Sequence, residues 1–145
     1  MIDLHMHSTF SDGTLPPEAL AELAGGFGLT AIALTDHDCL DGVPRFQAAC
    51  AAEGVRGIAG VEISAEVKKG TMHILGYFVD PADEALEDAL RRIRGGREAR
   101  NQEILKKLNG LGCTLEWGDV REHAAEEVVG RPHFARALEV KGYVS

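Results

Sequence analysis

The sequence predicts an α/β fold, and two observations support this prediction. Short apolar runs alternate with Ala-rich helical patterns through about the first 80 residues, whereas the remainder reads as helical throughout. Successive βα units joined by short loops favour a parallel sheet or a barrel over a helical bundle. In such folds the chemically active side chains gather at the carboxyl ends of the strands.

Four segments are predicted as strands. Residues 2–7 alternate in character, which suits a short strand. Residues 31–35 are almost wholly apolar, as in a strand that is buried on both faces of a parallel sheet. Two further strands are predicted over 57–67 and 72–79, and Gly70 between them would allow a hairpin.

Helices are predicted between and after these strands. Pro16-Pro17-Glu18 indicates a helix start, because proline and an acid suit the first turn, and Gly25-Gly26 indicates its end. A second Ala-rich helix is predicted over 43–52 and is closed by Gly54. The rest of the chain predicts three more helices, over 83–108 with an interruption at Gly95-Gly96, over 115–125 and over 133–140.

Composition and charge narrow the class of protein. The formal net charge is -8, which argues against a general nucleic-acid-binding surface, so a phosphate ligand would need metal ions or a few arginines. Three cysteines without a CxxC pair argue against a disulfide framework and against a thiolate zinc site. No apolar stretch is long enough for a membrane span, and no secretory signal precedes the first strand. We therefore expect a soluble, cytoplasmic protein.

Side chains suited to metal binding follow the predicted strands. His5 and His7 lie on one face of the first strand, about 7 Å apart along it, and can approach one ion together. The other candidates are Asp12 in the next loop, Asp36 and His37 after the second strand, Glu62 late in the third and His73 early in the fourth. Imidazole and carboxylate ligands without thiolates suit Zn, Mn or Fe.

Each of these features has a plainer interpretation. An HxH pair is common, Glu62 could be a surface acid, and His73 could be a hydrogen-bonded core histidine. Four independent placements at strand ends within one βα pattern make metal binding the better interpretation. Several carboxylates among the imidazoles indicate more than one ion, because a carboxylate can bridge two cations, and such sites are typical of phosphoester hydrolysis.

The same segments carry the motifs of a known family. In chain order they are His5-Met6-His7-Ser8, Ser11-Asp12-Gly13, Thr35-Asp36-His37-Asp38 and Gly60-Val61-Glu62-Ile63-Ser64. These motifs resemble the opening motifs of the polymerase and histidinol phosphatase (PHP) domain. The resemblance runs from residue 2 to about residue 80 and continues more weakly to the end.

Two later motifs resemble a PHP subgroup, the small stand-alone phosphoesterases that act on 3′,5′-nucleoside bisphosphates or short RNA. These motifs are Met72-His73-Ile74-Leu75-Gly76-Tyr77 and Gly130-Arg131-Pro132-His133-Phe134-Ala135-Arg136. The subgroup carries a helical insertion after the fourth strand. The resemblance thus implies that residues 1–81 form the N-terminal βα half of a distorted (β/α)7 barrel and that residues 82–145 form a substrate-capping helical insertion.

The resemblance also implies a site for up to three divalent ions, Mn, Fe or Zn. The implied ligand sets are His5, His7 and Glu62 for one ion, Glu62 and His73 for a second, and Asp12 and His37 for a third.

Five further polar residues near these motifs are interpreted by position. By the resemblance, Arg131 and His133 match positions in the family's insertion that face the substrate phosphate, which implies that they are catalytic and binding residues. Arg131 could instead only cap or pair near a helix start. Ser8 would hydrogen-bond a ligand or phosphate, or only the turn. Asp38 is interpreted as a helix cap or a support for the ligands. His123 is interpreted as a solvated helix residue.

The chain ends at Ser145 without two motifs that the resemblance implies, a later histidine followed by proline and a terminal Asp-x-His pair. We therefore expect the remaining barrel strands to be absent and each ion to lack at least one protein ligand. An open half-barrel exposes a sheet edge and an apolar face, and both favour association. We expect a fragment with weak metal binding and little activity, or a chain whose edge is covered by a second copy or another chain.

The leading functional prediction is a metal-dependent phosphoesterase. It would hydrolyse a phosphate monoester or a short nucleotide substrate by in-line attack of a metal-activated hydroxide, without a covalent enzyme intermediate. One alternative is a histidinol-phosphate phosphatase, against which the helical segment argues by analogy only. Another alternative is a non-catalytic metal-binding module like those attached to polymerases. The expected partner is a small phosphorylated molecule, a nucleotide or short RNA, and not a membrane.

Overall fold

The computed structural model describes residues 1–65, 67, 70, 72–124 and 128–144. Within these ranges the chain forms strands and helices in the alternating order that the sequence predicts. They are β1 (Ile2–Met6), α1 (Pro17–Gly26), β2 (Ala31–Leu34), α2 (Val43–Ala52), β3 (Arg56–Ala65), β4 (Met72–Tyr77), α3 (Glu84–Gly110), α4 (Trp117–Arg121) and α5 (Arg131–Val140).

The strands form one sheet in the order β1-β2-β3-β4. β1, β2 and β3 run parallel, so their carboxyl ends meet at one edge, as the βα pattern predicts. β4 pairs antiparallel with β3, which confirms the predicted hairpin. This pairing places His73 opposite Ser64, so the start of β4 lies beside the end of β3.

The main hydrophobic core lies between the sheet and the helices α1, α2 and the first half of α3. β2 is buried almost throughout, because the helices cover it on one face and its neighbours flank it, which explains its uninterrupted apolar sequence. Phe46 of α2 is fully buried in this core, and a side chain of that size contributes about 1.5–3 kcal/mol when buried. Leu90 joins the core from α3.

A second core joins the other half of α3 to α4 and α5. Leu115, Val120 and Phe134 are buried there, and Ile104 and Leu108 of α3 pack against them. α3 therefore spans both cores, and the predicted interruption at Gly95-Gly96 is wrong. Each mid-helix glycine costs about 1 kcal/mol relative to alanine, but packing at both ends of α3 outweighs that cost.

The other helix boundaries agree with the predictions or differ by a few residues. α1 ends at Gly26, as the Gly25-Gly26 pair predicts, and just beyond it Gly28 adopts φ +68° and its N–H donates to the Gly25 carbonyl. α5 begins two residues earlier than predicted, at Arg131. α4 is shorter than the predicted helix, whose last residue, Ala125, lies outside the described residues.

Two expectations drawn from composition can be compared with the structure. Cys39, Cys50 and Cys113 are all free thiols, as the absence of paired spacing predicts. In the described part of the chain, no helix combines the length and the apolar character that crossing a bilayer requires.

Candidate metal centre

Six ionisable side chains converge where the parallel strands end and β4 begins. They are His5, His7, Asp12, His37, Glu62 and His73, the six ligands that the family resemblance implies; Asp36, a further candidate from the strand-end pattern, is not in these groups. Their ligand atoms fall into three overlapping groups, and within each group the atoms lie within 4.8 Å of one another. The groups are His5, His7 and Glu62; His7, Asp12 and His37; and His37, Glu62 and His73.

β1 brings two imidazoles to the Glu62 carboxylate. The rings of His5 and His7 lie 5.2 Å apart, as expected for side chains two residues apart on one face of a strand. His5 Nε2 is 2.8 Å and His7 Nε2 is 3.0 Å from the same oxygen, Glu62 Oε2. One carboxylate oxygen and two imidazole nitrogens therefore surround one small space.

Asp12 is carried back to the strand ends by a tight loop. Gly13 closes this loop: its N–H donates to the Ser8 carbonyl at 3.0 Å, and a Cβ at this position would overlap the His7 carbonyl. The Asp12 carboxylate consequently lies between two rings, with Oδ1 3.4 Å from His7 Nδ1 and Oδ2 3.6 Å from His37 Nε2.

The second and fourth strands complete the cluster. His37 follows β2, and its backbone forms an isolated parallel β-bridge with Glu62 of β3. The ring of His37 lies 4.8 Å from that of His7. His73 reaches Glu62 from β4, with Nδ1 2.7 Å from Oε1, and its ring lies 4.9 Å from that of His37. Glu62 thus belongs to two of the three groups. Its Oε2 faces His5 and His7, and its Oε1 faces His73.

The electrostatics of the cluster favour the protonation states that metal ligands need. Burial alone would raise the pKa of Glu62, but the hydrogen bonds from His5 and His73 and the charges of His37 and His7 outweigh it and lower the pKa. Burial lowers the pKa of His37, and the charges of Arg97 and His7 add to this effect against those of Asp12 and Glu62. The lowered pKa values favour the carboxylate form of Glu62 and the neutral form of His37, which are the forms that bind a cation.

The donor set fits a divalent cation. Within the described part of the chain, His37 Nδ1 is buried and has no hydrogen-bond partner. A buried polar atom without a partner is costly, and a metal ion would satisfy it. Imidazole nitrogens and carboxylate oxygens, without a thiolate, are ligands that Zn, Mn and Fe accept. The cluster is thus a candidate centre for more than one divalent ion.

Two buried serines and Asp36 support the loop that carries Asp12. The Asp36 carboxylate accepts hydrogen bonds from the Ser8 N–H at 2.7 Å, the Ser8 hydroxyl at 2.6 Å and the Ser11 hydroxyl at 2.5 Å. Ser8 is fully buried, and its hydroxyl also accepts from the Phe10 N–H. The prediction that Ser8 contacts substrate does not fit this arrangement, and the alternative of a turn residue does.

Asp38 anchors the long helix to the strand ends. Its Oδ1 accepts from the Ser64 N–H at 2.7 Å, and its Oδ2 accepts from Arg97 Nη2 at 2.7 Å and Nε at 3.2 Å. Arg94 donates to the Asp38 carbonyl at 2.7 Å. Asp38 adopts φ +53° and caps no helix, since α2 begins after Gly42. The predicted supporting role fits, whereas the predicted helix-capping role is wrong.

α5 begins beside the cluster. The Asp12 carboxylate lies 3.8 Å from where a Cβ of Gly130 would stand, so the residue before α5 lies close to the cluster. His133 is buried, and its Nδ1 accepts from the Gly130 N–H at 2.9 Å. Arg131 is exposed, and in the described ranges neither a hydrogen bond nor an ion pair holds it.

His123 is half-buried beyond the end of α4, so its interpretation as a solvated helix residue is wrong. Its Nε2 is buried without a hydrogen-bond partner in the described part, and its nearest acid there is Glu122 at 3.6 Å. The neighbouring acids that the sequence shows, Glu126 and Glu127, lie outside the described residues.

Acid is expected to destabilise the metal-free chain as the pH falls below about 6.5. Burial lowers the pKa of both His37 and His133 from the ordinary 6.5, so the unfolded chain binds more protons than the folded chain in that range. The stability that the two neutral rings contribute is present above pH 6.5 and is lost below it. Glu62, whose folded pKa lies below the ordinary 4.5, adds a further loss in stronger acid.

Thermal unfolding in EDTA, followed by circular dichroism from pH 8 to pH 5, measures this effect. A melting temperature that is level above about pH 7 and falls below it is expected. A melting temperature that rises on acidification would contradict the assignment of neutral histidines.

With the geometry established, the chain can be compared with known proteins. Residues 3–126 match the family model of the PHP domain. The chain belongs to the PHP domain family. This confirms the resemblance that the strand-end motifs indicated.

Three similar proteins show how this PHP chain compares in sequence and length with its relatives. It is 38% identical over 149 residues to the 3′,5′-nucleoside bisphosphate phosphatase of Chromobacterium violaceum, covering 99% of the chain and 50% of the relative. It is 36% identical over 143 residues to a 5′-3′ exoribonuclease of Haemophilus influenzae, and the match covers 99% of the chain and 52% of the relative. The structure of a candidate metal-dependent phosphoesterase of Bifidobacterium adolescentis superimposes with a TM-score of 0.90 at 32% identity. This match covers 99% of the chain and 51% of the phosphoesterase.

The PHP chain therefore spans about half the length of these relatives. The structural match confirms the predicted fold class, the N-terminal part of a PHP barrel with a helical insertion.

Proposed function

We propose that this chain forms the metal-binding half of a phosphoesterase that hydrolyses a phosphate ester of a nucleotide-like substrate. The observation that carries the proposal is the Glu62 carboxylate, which lies within 3.0 Å of ring nitrogens from three histidines on two strands. The match to a nucleoside bisphosphate phosphatase and to an exoribonuclease supports a nucleotide or short RNA as substrate.

The proposed centre uses the six clustered side chains as ligands. His5, His7 and Glu62 would hold one ion, Glu62 and His73 a second with His37 beside it, and Asp12 and His37 a third. Divalent Mn, Fe or Zn bound there would polarise phosphate oxygens and lower the pKa of water.

Arg131 and His133 are proposed to bind the substrate phosphate. His133 Nδ1 accepts the Gly130 N–H, so the proton of the neutral ring is on Nε2, which can donate to a phosphate oxygen. Burial lowers the pKa of His133 and keeps the ring neutral against the charge of Asp12. Arg131 would add a planar, permanently charged donor suited to phosphate.

The proposed division of the chain follows from these roles. Residues 1–81 would supply the metal centre, and residues 82–145 would cap the substrate. Pairing of the open sheet edge with a second copy or another chain, and a cytoplasmic location, remain part of the proposal.

Metal analysis combined with hydrolysis assays tests the proposal. The chain, and any longer product of its gene, would be assayed with adenosine 3′,5′-bisphosphate, histidinol phosphate and a 5′-phosphorylated short RNA. Metal-dependent hydrolysis of the nucleotide or RNA, with loss of metal and activity in His7→Ala, is expected. Preference for histidinol phosphate would favour the histidinol-phosphate phosphatase, and bound metal without hydrolysis would favour a structural module.

A further inference from the structure

A chain of hydrogen bonds runs from a buried carboxylate to the ring of His7. Asp36 is 1% exposed and Ser11 is 2% exposed, so water reaches neither side chain freely. The Ser11 hydroxyl oxygen lies 2.5 Å from Asp36 Oδ1 and 3.3 Å from His7 Nδ1. Ser11 therefore links the Asp36 carboxylate to a ring of the candidate metal centre.

The other donors around Asp36 fix the direction of these bonds. The carboxylate accepts from the Ser8 N–H and from the Ser8 hydroxyl, whose own oxygen accepts from the Phe10 N–H. Ser11 has one hydroxyl proton, and it goes to Asp36, because a carboxylate oxygen can only accept. If that proton pointed to His7 instead, two oxygens without a proton between them would lie 2.5 Å apart.

This direction determines which nitrogen of His7 carries a proton. The Ser11 oxygen faces the ring as an acceptor, so Nδ1 must be an N–H. Asp12 Oδ1, 3.4 Å from the same nitrogen, is also an acceptor and agrees with this assignment. On the other side of the ring, Glu62 Oε2 lies 3.0 Å from Nε2 and competes for the proton of the neutral ring. Without Ser11, that proton would move to Nε2, the nitrogen that a cation beside Glu62 needs unprotonated.

We propose that Asp36 and Ser11 are positioning residues that hold His7 in its Nδ1–H form and so keep Nε2 available to an ion beside Glu62. The ion rests on the proposed function, whereas the position of the proton is a property of the chain alone. Ligand histidines commonly donate their second N–H to a carboxylate or carbonyl, and here a hydroxyl stands between the ring and the carboxylate. In the group with Asp12, the neutral ring then offers no lone pair from Nδ1.

Long-range ¹H–¹⁵N correlation spectra of the histidine rings test the proton position in the EDTA-treated chain in mildly alkaline buffer. The His7 signals are those that His7→Gln removes. The parent chain should show Nδ1–H as the major form, and Ser11→Ala should shift the proton toward Nε2, because Glu62 remains as an acceptor. Ser11→Thr keeps the hydroxyl and should retain the parent form. Ser8→Ala is the control, since it removes a buried hydroxyl that bonds to the same carboxylate and makes no hydrogen bond to the ring in the described part of the chain.

Zn²⁺ titration of the same variants tests the consequence for binding. Ser11→Ala should weaken Zn²⁺ binding by about 10–100-fold, the usual effect of losing a residue that supports a ligand, and Ser8→Ala should weaken it less. An Nε2–H form in the parent chain, an unchanged proton position in Ser11→Ala, or equal losses of affinity in the two alanine variants would each overturn the proposal. A parent chain that shows Nδ1–H and binds no Zn²⁺ would instead contradict the proposed function and leave the proton assignment standing.

Discussion

Glu62→Gln is expected to reduce the affinity of the chain for Mn²⁺ by at least about 100-fold, since even residues that only support a metal ligand account for 10–100-fold. Glu62 contacts three imidazoles through two different oxygens and belongs to two of the three ligand groups. Glutamine keeps the size of the side chain but removes its charge, and it replaces one carboxylate oxygen with an amide nitrogen, which donates hydrogen bonds and cannot bind a cation. Two ion positions therefore lose their shared anionic ligand at once.

Mn²⁺ titration of the metal-free chain, with bound metal measured after gel filtration, gives the affinity. Glu18→Gln is the matched control, because it makes the same chemical change at an exposed acid that pairs with Arg45 at 2.7 Å, outside the cluster. The control should bind metal like the parent chain. Equal affinity in the Glu62 and Glu18 variants would contradict the assignment of the centre.

Arg97→Met is expected to lower the free energy of unfolding by about 3–5 kcal/mol, the usual cost of removing one partner of a buried ion pair. The Asp38 carboxylate is fully buried and the Arg97 side chain is 8% exposed. Methionine fills similar volume but leaves the carboxylate charged and without its main counterion. In the described part of the chain, the Ser64 N–H would then be the only hydrogen-bond donor to the Asp38 carboxylate.

Urea unfolding of the variant measures this loss. Arg91→Met is the control on the same helix, since Arg91 is 66% exposed and, among the described residues, pairs with Glu87 and Asp88, interactions worth no more than about 1 kcal/mol each at the surface. Adding Asp38→Asn to Arg97→Met should restore part of the stability, because the uncompensated charge is removed. Similar losses for Arg97→Met and Arg91→Met would show that the pair does not anchor α3.

The sequence predicted the strand ends and the six clustered side chains because both depend on local patterns. The two-residue spacing of His5 and His7 places them on one face in any strand, and parallel strands bring their carboxyl ends together. The antiparallel return of β4, which Gly70 suggested, was enough to bring His73 beside Glu62. Local periodicity and turn chemistry thus locate this part of the site.

The supporting residues depend on long-range packing, which the sequence pattern does not show. Asp38 and Arg97 are 59 residues apart, and α3 reads as a generally charged helix in which no arginine is distinguished from the others. Arg94, Arg97 and Arg100 recur at intervals of three along α3, and this spacing was the available signal that they share a face. The same long-range packing keeps α3 continuous through Gly95-Gly96.

Anomalous diffraction from crystals of the chain grown with Mn²⁺ tests the central claim most directly, because it locates the metal without relying on activity. The account predicts at least one strong peak within bonding distance of Glu62 and the imidazoles of His5 and His7, with any further peaks at the groups that include His37. Ordered Mn²⁺ elsewhere on the chain, with no peak beside Glu62 at saturating metal, would contradict it.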